Sequence, residues 1–218
     1  SNDEKRRVLI AAPRGTAKST VCSLIFPMYK IAYKKPEDDL FMVIVSESQA
    51  QSVNFLSRIK YHLEHSQNFK DIFGDFSSTT AKRWTGADIV LKNGTRIVAV
   101  GTGQRVRGFI EGDTRPNVII VDDFESELNA FTPEARTKNR KWMTEAVIPS
   151  LSDEGRIVMI GTVISEDCFL YWAKDSPAWK TLWYSIWNED EDSIWPQRFP
   201  KKRILEIAPV MYRTQNLT

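Results

Sequence analysis

Apolar residues recur along this chain in two textures, short unbroken runs and longer stretches spaced at helical intervals. Val8-Leu9-Ile10-Ala11-Ala12, residues 40–45, Val118-Ile119-Ile120-Val121 and residues 156–160 are short runs with almost no polar interruption. Each predicts a strand buried on both faces. Helical patterns lie between them. Residue 18 to about residue 33 predicts a helix, with Pro27 inside it to kink or end it. Ser46 or Ser48 caps a second helix reaching about His65, with Val53, Leu56, Ile59 and Leu63 on its apolar face and Tyr61 at the margin. Thr132-Pro133-Glu134 opens another: a threonine cap, proline at the first position, an acid in the first turn. A helix near 166–174 and a strand near 179–186 complete the pattern.

Between the second and third runs the texture changes. Residues 79–84, 88–91 and 96–100 are short strand candidates, and Lys92-Asn93-Gly94-Thr95 is a strong hairpin turn because Asn-Gly accepts positive φ. Strands buried on both faces need helices above and below. The sum is a three-layer α/β domain with a mainly parallel central sheet and an inserted β-hairpin before the 118–121 strand.

Composition narrows the class. Hydrophobic residues make up 42% and charged residues 27% of 218, enough to bury a full core and unlike a disordered or fibrous chain. No stretch of eighteen apolar residues exists to span a bilayer, and the polar opening is not that of a signal peptide. A net charge of +2 does not by itself imply nucleic acid. Residues 1–35 nevertheless hold eight Lys/Arg against two Asp/Glu, as a phosphate-binding end would. Cys22 and Cys168 sit in separate apolar runs and are expected as buried, reduced thiols. His62 and His65 share a helix face but lack a third metal ligand. The late tryptophans are expected in the core, with Trp183 and Trp187 on one side of a strand if it runs that far.

The chemistry begins at Pro13-Arg14-Gly15-Thr16-Ala17-Lys18-Ser19-Thr20, which follows a strand and opens a helix. A phosphate loop requires that context. Loop N–H groups and the positive end of the new helix form a nest for β- and γ-phosphates. Lys18 reaches them as a point charge, and the Ser19 hydroxyl can ligate Mg2+. Ala12 and Ala17 occupy the two glycine positions of the strict pattern. Alanine resists positive φ, so Gly15 is expected to supply the flexibility instead. Arg14 is unusual in such a loop and can reach a γ-phosphate or pair with a nearby carboxylate.

Val118-Ile119-Ile120-Val121 ends in Asp122-Asp123, at the sheet end where ligands bind. Asp122 is expected to hold Mg2+, directly or through water. Asp123 and Glu125 are both candidates for the base that orients the attacking water. Thr162, after Gly161, is expected beside the γ-phosphate. Arg105 and Arg107 form a donor pair that can serve this site or a neighbour's; salt bridges to Glu111 and Asp113 are the plainer use.

This constellation resembles the ATPase domain of the large terminases, the motor subunits that pump DNA into tailed-phage capsids. The loop from Ala12 to Ser19 resembles that family's deviant phosphate loop, in which an arginine often stands where Arg14 does. Arg105-Val106-Arg107-Gly108 resembles its Arg-Gly segment, and Asp122-Asp123 its carboxylate pair, though many members have Asp-Glu. Gly161-Thr162 stands where its coupling motif follows the next strand. Trp195-Pro196-Gln197-Arg198-Phe199, with Tyr212, Gln215 and Asn216, resembles its linker toward an RNase H-like nuclease domain. The resemblance implies a P-loop NTPase of RecA/ASCE type over residues 1–195 and a linker over 196–218. It implies ATP and Mg2+ as ligands and double-stranded DNA, a portal protein and a small terminase subunit as partners. It further implies a homo-oligomeric ring in the host cytoplasm, transiently at the procapsid portal, with Arg107 or Arg105 entering a neighbour's site. Nuclease activity is not expected of these residues, since it would need a further carboxylate-rich domain. Two rivals stand beside this reading. One is a catalytically weak nucleotide-binding module, kept alive by the loop alanines. The other is a fragment of a helicase-type ATPase, which would need a second RecA-like domain.

Overall fold

The computed structural model describes residues 6–104, 114–190 and 192–211. The strands are β1 (Arg7–Ala11), β2 (Phe41–Ser46), β3 (Arg83–Trp84), β4 (Asp88–Val90), β5 (Arg96–Gly101), β6 (Val118–Asp122), β7 (Arg156–Gly161) and β8 (Lys180–Trp183). They form one sheet in the order β3-β4-β5-β2-β6-β7-β1-β8. All pairings from β5 to β8 are parallel, and β3 and β4 join antiparallel.

Alternate residues of the inner strands point to opposite layers. Val43 and Val45, Val98 and Val100, and Ile119 and Val121 face one core with Met143, Val147, Phe169 and Trp179. Met42 and Ile44, Ile97 and Ala99, and Val118 and Ile120 face the other with Leu24, Ile31, Leu56, Ile59 and Leu63. Continuous apolar runs are the consequence of covering both faces.

Helix α1 runs through Lys18–Thr20, a π turn at Val21–Ile25, and Phe26–Ala32. Helices α2 (Gln49–His65, capped by Ser48) and α3 (Gln67–Phe73) follow. Helix α4 runs through Pro133–Trp142, a π turn at Met143–Val147, and Ile148–Ser150, with Thr132 as its cap. Helices α5 (Phe169–Ala173) and α6 (Lys201–Met211) complete the set. Both π turns stand just before a proline. Phe26 N–H bonds to Val21 O and Ile148 N–H to Met143 O, five residues back, ahead of Pro27 and Pro149. A proline ring crowds the carbonyl four residues earlier, and the wider turn relieves that crowding without ending the helix.

Four expectations change. Of the late tryptophans expected in the core, Trp179 is buried, but Trp172, Trp183 and Trp195 are exposed. The 96–100 segment pairs antiparallel with β4 through the predicted turn but also parallel with β2, so the hairpin's second arm is a strand of the central sheet. The 79–84 segment is a strand only at Arg83–Trp84, because turn bonds within 77–81 occupy its start. The last strand stops at Trp183, so Trp187 shares no strand face with it and packs beside Ile186, Phe199 and Ile204. The cysteines are free and buried as expected.

The position of β7 sets up the site. It lies between β1, which feeds the 12–17 loop, and β6, which ends in the two aspartates. The chain leaving β7 therefore stands between them.

Candidate active site

The 12–17 loop is built on two left-handed residues, Gly15 (φ 81°) and Ala17 (φ 63°). Gly15 takes a positive φ that glycine tolerates, and Ala17 also adopts the conformation that its Cβ opposes, at a cost of about 1–2 kcal/mol. Ala17 is the N-cap of α1, so helical N–H groups begin immediately after it. The Thr16 hydroxyl closes the loop by donating to Pro13 O at 2.8 Å. From the tail, Phe199 lies against the loop: a Cβ on Gly15 would meet its ring at 3.2 Å.

Lys18 Nζ donates to Thr162 Oγ1 at 2.8 Å and approaches Pro13 O at 3.4 Å. Burial lowers the Lys18 pKa; the charges of Asp123 and Asp122 oppose this, while Arg14 adds to it. Thr162 N–H donates to Asp123 Oδ1 at 3.0 Å, and Asp123 N–H donates to Ile160 O at 3.0 Å. Asp123, at φ 44°, is thus pinned to the end of β7 by backbone and side chain. Gly161 permits this closeness, because a Cβ there would lie 2.5 Å from Leu170 and 3.1 Å from Asp123 Oδ1.

Asp122 is fully buried and accepts two hydroxyls from α1. Ser19 Oγ reaches Oδ1 at 3.0 Å and Ser23 Oγ reaches Oδ2 at 2.5 Å. Burial pushes its pKa up to about 6; Ser23 pulls it down, Asp123 adds to the rise, and Ser19 and Lys18 oppose it. Glu125 Oε2 accepts from Phe169 N–H at 2.6 Å, at the start of α5. Its pKa is raised by burial, against the Phe169 N–H, the Asn139 side chain, Arg140 and Arg136.

Arg14, Gly15, Ala17, Lys18, Ser19, Thr20, Asp123, Glu125 and Thr162 line one cavity of about 410 Å3. The structure therefore brings together the loop, Thr162 and both candidate bases. Asp122 stands behind Ser19 rather than on the cavity wall. Arg14 is exposed at the rim and makes no hydrogen bond or ion pair among the described residues. Arg105 and Arg107 lie outside the described residues. Glu47, Gln51, Ser126 and Ile164 also line the cavity and were not anticipated. Glu47 follows β2, and only the sheet order brings that strand end beside the loop. Ser23 was missed too, although its place four residues after Ser19 signals a shared helix face.

The donor set suits a nucleotide–metal complex. Positive φ in the loop is the geometry of an anion nest. Ser19 lines the cavity and gives its hydrogen to Asp122, which leaves its oxygen lone pairs free for a hard cation. Among the described residues no three His, Cys, Asp or Glu converge to hold a metal alone. No helix among these residues is long and apolar enough to cross a membrane.

No family model matches the sequence, and no curated protein matches it. Solved structures do. The ATPase domain of the large terminase of Thermus phage P74-26 aligns with a TM-score of 0.61 at 14% identity, over 98% of this chain and 88% of that one. The large terminase of bacteriophage HK97 aligns at 0.59 and 12%, over 97% of this chain and 45% of that one. Dbp5 of S. cerevisiae, in a structure that includes ADP, aligns at 0.50 and 14%, over 86% and 45%. The chain has the mainly parallel α/β fold of the large-terminase ATPase domains.

Proposed function

We propose that this chain is the ATPase domain of a large-terminase-type motor, hydrolysing Mg2+-ATP to move double-stranded DNA into a viral procapsid. The convergence of Lys18, Thr162 and Asp123 across the ends of β1, β7 and β6, with Ser19 bonded to Asp122 beside them, carries the reading. Lys18 and the 13–20 loop bind the β- and γ-phosphates. Ser19 holds the cation, with Asp122 fixing the serine from behind. When bound, Mg2+ would neutralise charge on the phosphate oxygens.

Asp123 is the proposed base. It lines the cavity next to Lys18, and its Oδ1 is already oriented by Thr162 N–H. Glu125 is engaged by Phe169 N–H and sits in the field of Arg136 and Arg140, which suits it to anchor α5. Thr162 touches both Lys18 and Asp123, so loss of the γ-phosphate would be felt along β7. Arg14, exposed on the cavity lining, would reach a terminal phosphate, and Arg107 or Arg105 would serve a neighbouring subunit in a ring. A portal protein and a small terminase subunit are the proposed docking partners, in the host cytoplasm.

Steady-state phosphate release from Mg2+-ATP, with and without double-stranded DNA, tests the proposal. Turnover that responds to DNA supports the motor. Tight ATP binding without phosphate release supports an idle nucleotide-binding module instead, and absence of ATP binding overturns the reading.

A further inference from the structure

Ser23 has no part in a phosphate-loop pattern, yet it touches the buried acid more closely than Ser19 does. It is fully buried, in the π turn of α1, and donates to Asp122 Oδ2 at 2.5 Å across 99 residues of sequence. A buried serine within a helix has a nearer acceptor, the carbonyl four residues back on its own helix. Ser23 reaches instead to the end of β6. A hydroxyl–carboxylate bond of this length is of the charge-assisted kind and holds orientation as well as distance. Asp122 is thereby gripped at both oxygens from one helix, with Ser19 on Oδ1 and Ser23 on Oδ2.

We infer that Ser23 is a positioning residue for the cation site, a role that rests on the nucleotide reading above. Its grip fixes the rotation of the Asp122 carboxylate. With that rotation fixed, Oδ1 takes the Ser19 hydrogen and the Ser19 lone pairs face the cavity. Without Ser23 the carboxylate can turn, and Ser19 can donate elsewhere. Ser23 touches neither nucleotide nor cation, so its removal weakens cation capture while leaving phosphate contacts intact.

The test compares Ser23→Ala and Ser23→Cys with the unmodified chain. Cysteine keeps the side-chain shape, is somewhat larger, and is a weak donor. ADP binding is measured first without metal, and Mn2+ uptake at saturating ADP is then followed by electron paramagnetic resonance. Thermal unfolding monitors the fold. Metal-free ADP affinity is expected to stay within about twofold in both variants, while Mn2+ affinity falls about tenfold, a typical consequence of losing a bond to a charged group. Unchanged Mn2+ affinity in the folded variants overturns the inference. So does a Ser23→Cys protein that behaves like the unmodified chain while Ser23→Ala is impaired, because the role is then packing. Failure of the unmodified chain to bind ADP sinks the nucleotide reading itself and is distinguishable from both.

Discussion

Lys18 Nζ donates a 2.8 Å hydrogen bond to Thr162 Oγ1, joining the helix that opens after the 12–17 loop to the end of a strand 144 residues away. The same threonine binds Asp123 through its backbone N–H. Three elements thus meet on one residue, at the place proposed for a terminal phosphate.

This arrangement ranks the two candidate bases. Asp123→Asn is expected to lower phosphate release by at least about 100-fold, in the range of general-base losses, with ATP binding retained. Glu125→Gln keeps an acceptor for Phe169 N–H and is expected to cost far less. Single-turnover kinetics with both variants checks the ranking, and the opposite order would transfer the role to Glu125.

Asp122 gives a pH signature. Its folded pKa of about 6 stands above the ordinary 3.8, so the folded chain holds this proton more tightly than the unfolded one. Stability from this group is therefore full below about pH 4 and is lost as pH rises through 6. Asp122→Asn is expected to raise stability at pH 7, by on the order of 2 kcal/mol, while abolishing turnover. Near pH 4 the gain should vanish. Thermal unfolding of both proteins at the two pH values measures it; an equal difference at both would contradict the assignment.

Ala17 offers a stabilising change. Glycine at φ 63° removes the left-handed penalty, so Ala17→Gly is expected to add about 1 kcal/mol, or roughly 2–4 °C in melting temperature. A fall in melting temperature would show that the alanine is not strained.

Phe199 couples the tail to the loop. Phe199→Ala removes the ring that lies against Gly15 and is expected to cost about 3 kcal/mol and to weaken nucleotide binding as the loop loosens. Calorimetric ADP titration alongside thermal unfolding separates the two effects. Lower stability with unchanged affinity would make the contact purely structural.

Much of this was legible in the residues. The strand runs, the loop and the carboxylate pair are local patterns, and local patterns survive folding. Ser48 and Thr132 cap as their spacing indicates. What could not be read was set by distant segments. Nothing local places β7 between β1 and β6, yet that order puts Thr162 on Lys18. The 96–100 segment reads as a hairpin arm because its turn is local, whereas its pairing with β2 is not. The π turns follow from a clash between proline and helix continuation, which periodicity does not register. Arg105 and Arg107 lie outside the described residues, so their predicted roles stay with the sequence.

The proposed function requires Lys18 and the acids across from it to hold a nucleotide between them. Titration of Mg2+-ATP into the unmodified chain and into Lys18→Ala, with folding verified by circular dichroism, tests this most directly. Saturable binding is expected, weakening about 10- to 100-fold in the variant, the value of a buried charged contact. Equal affinity in two equally folded proteins would contradict it.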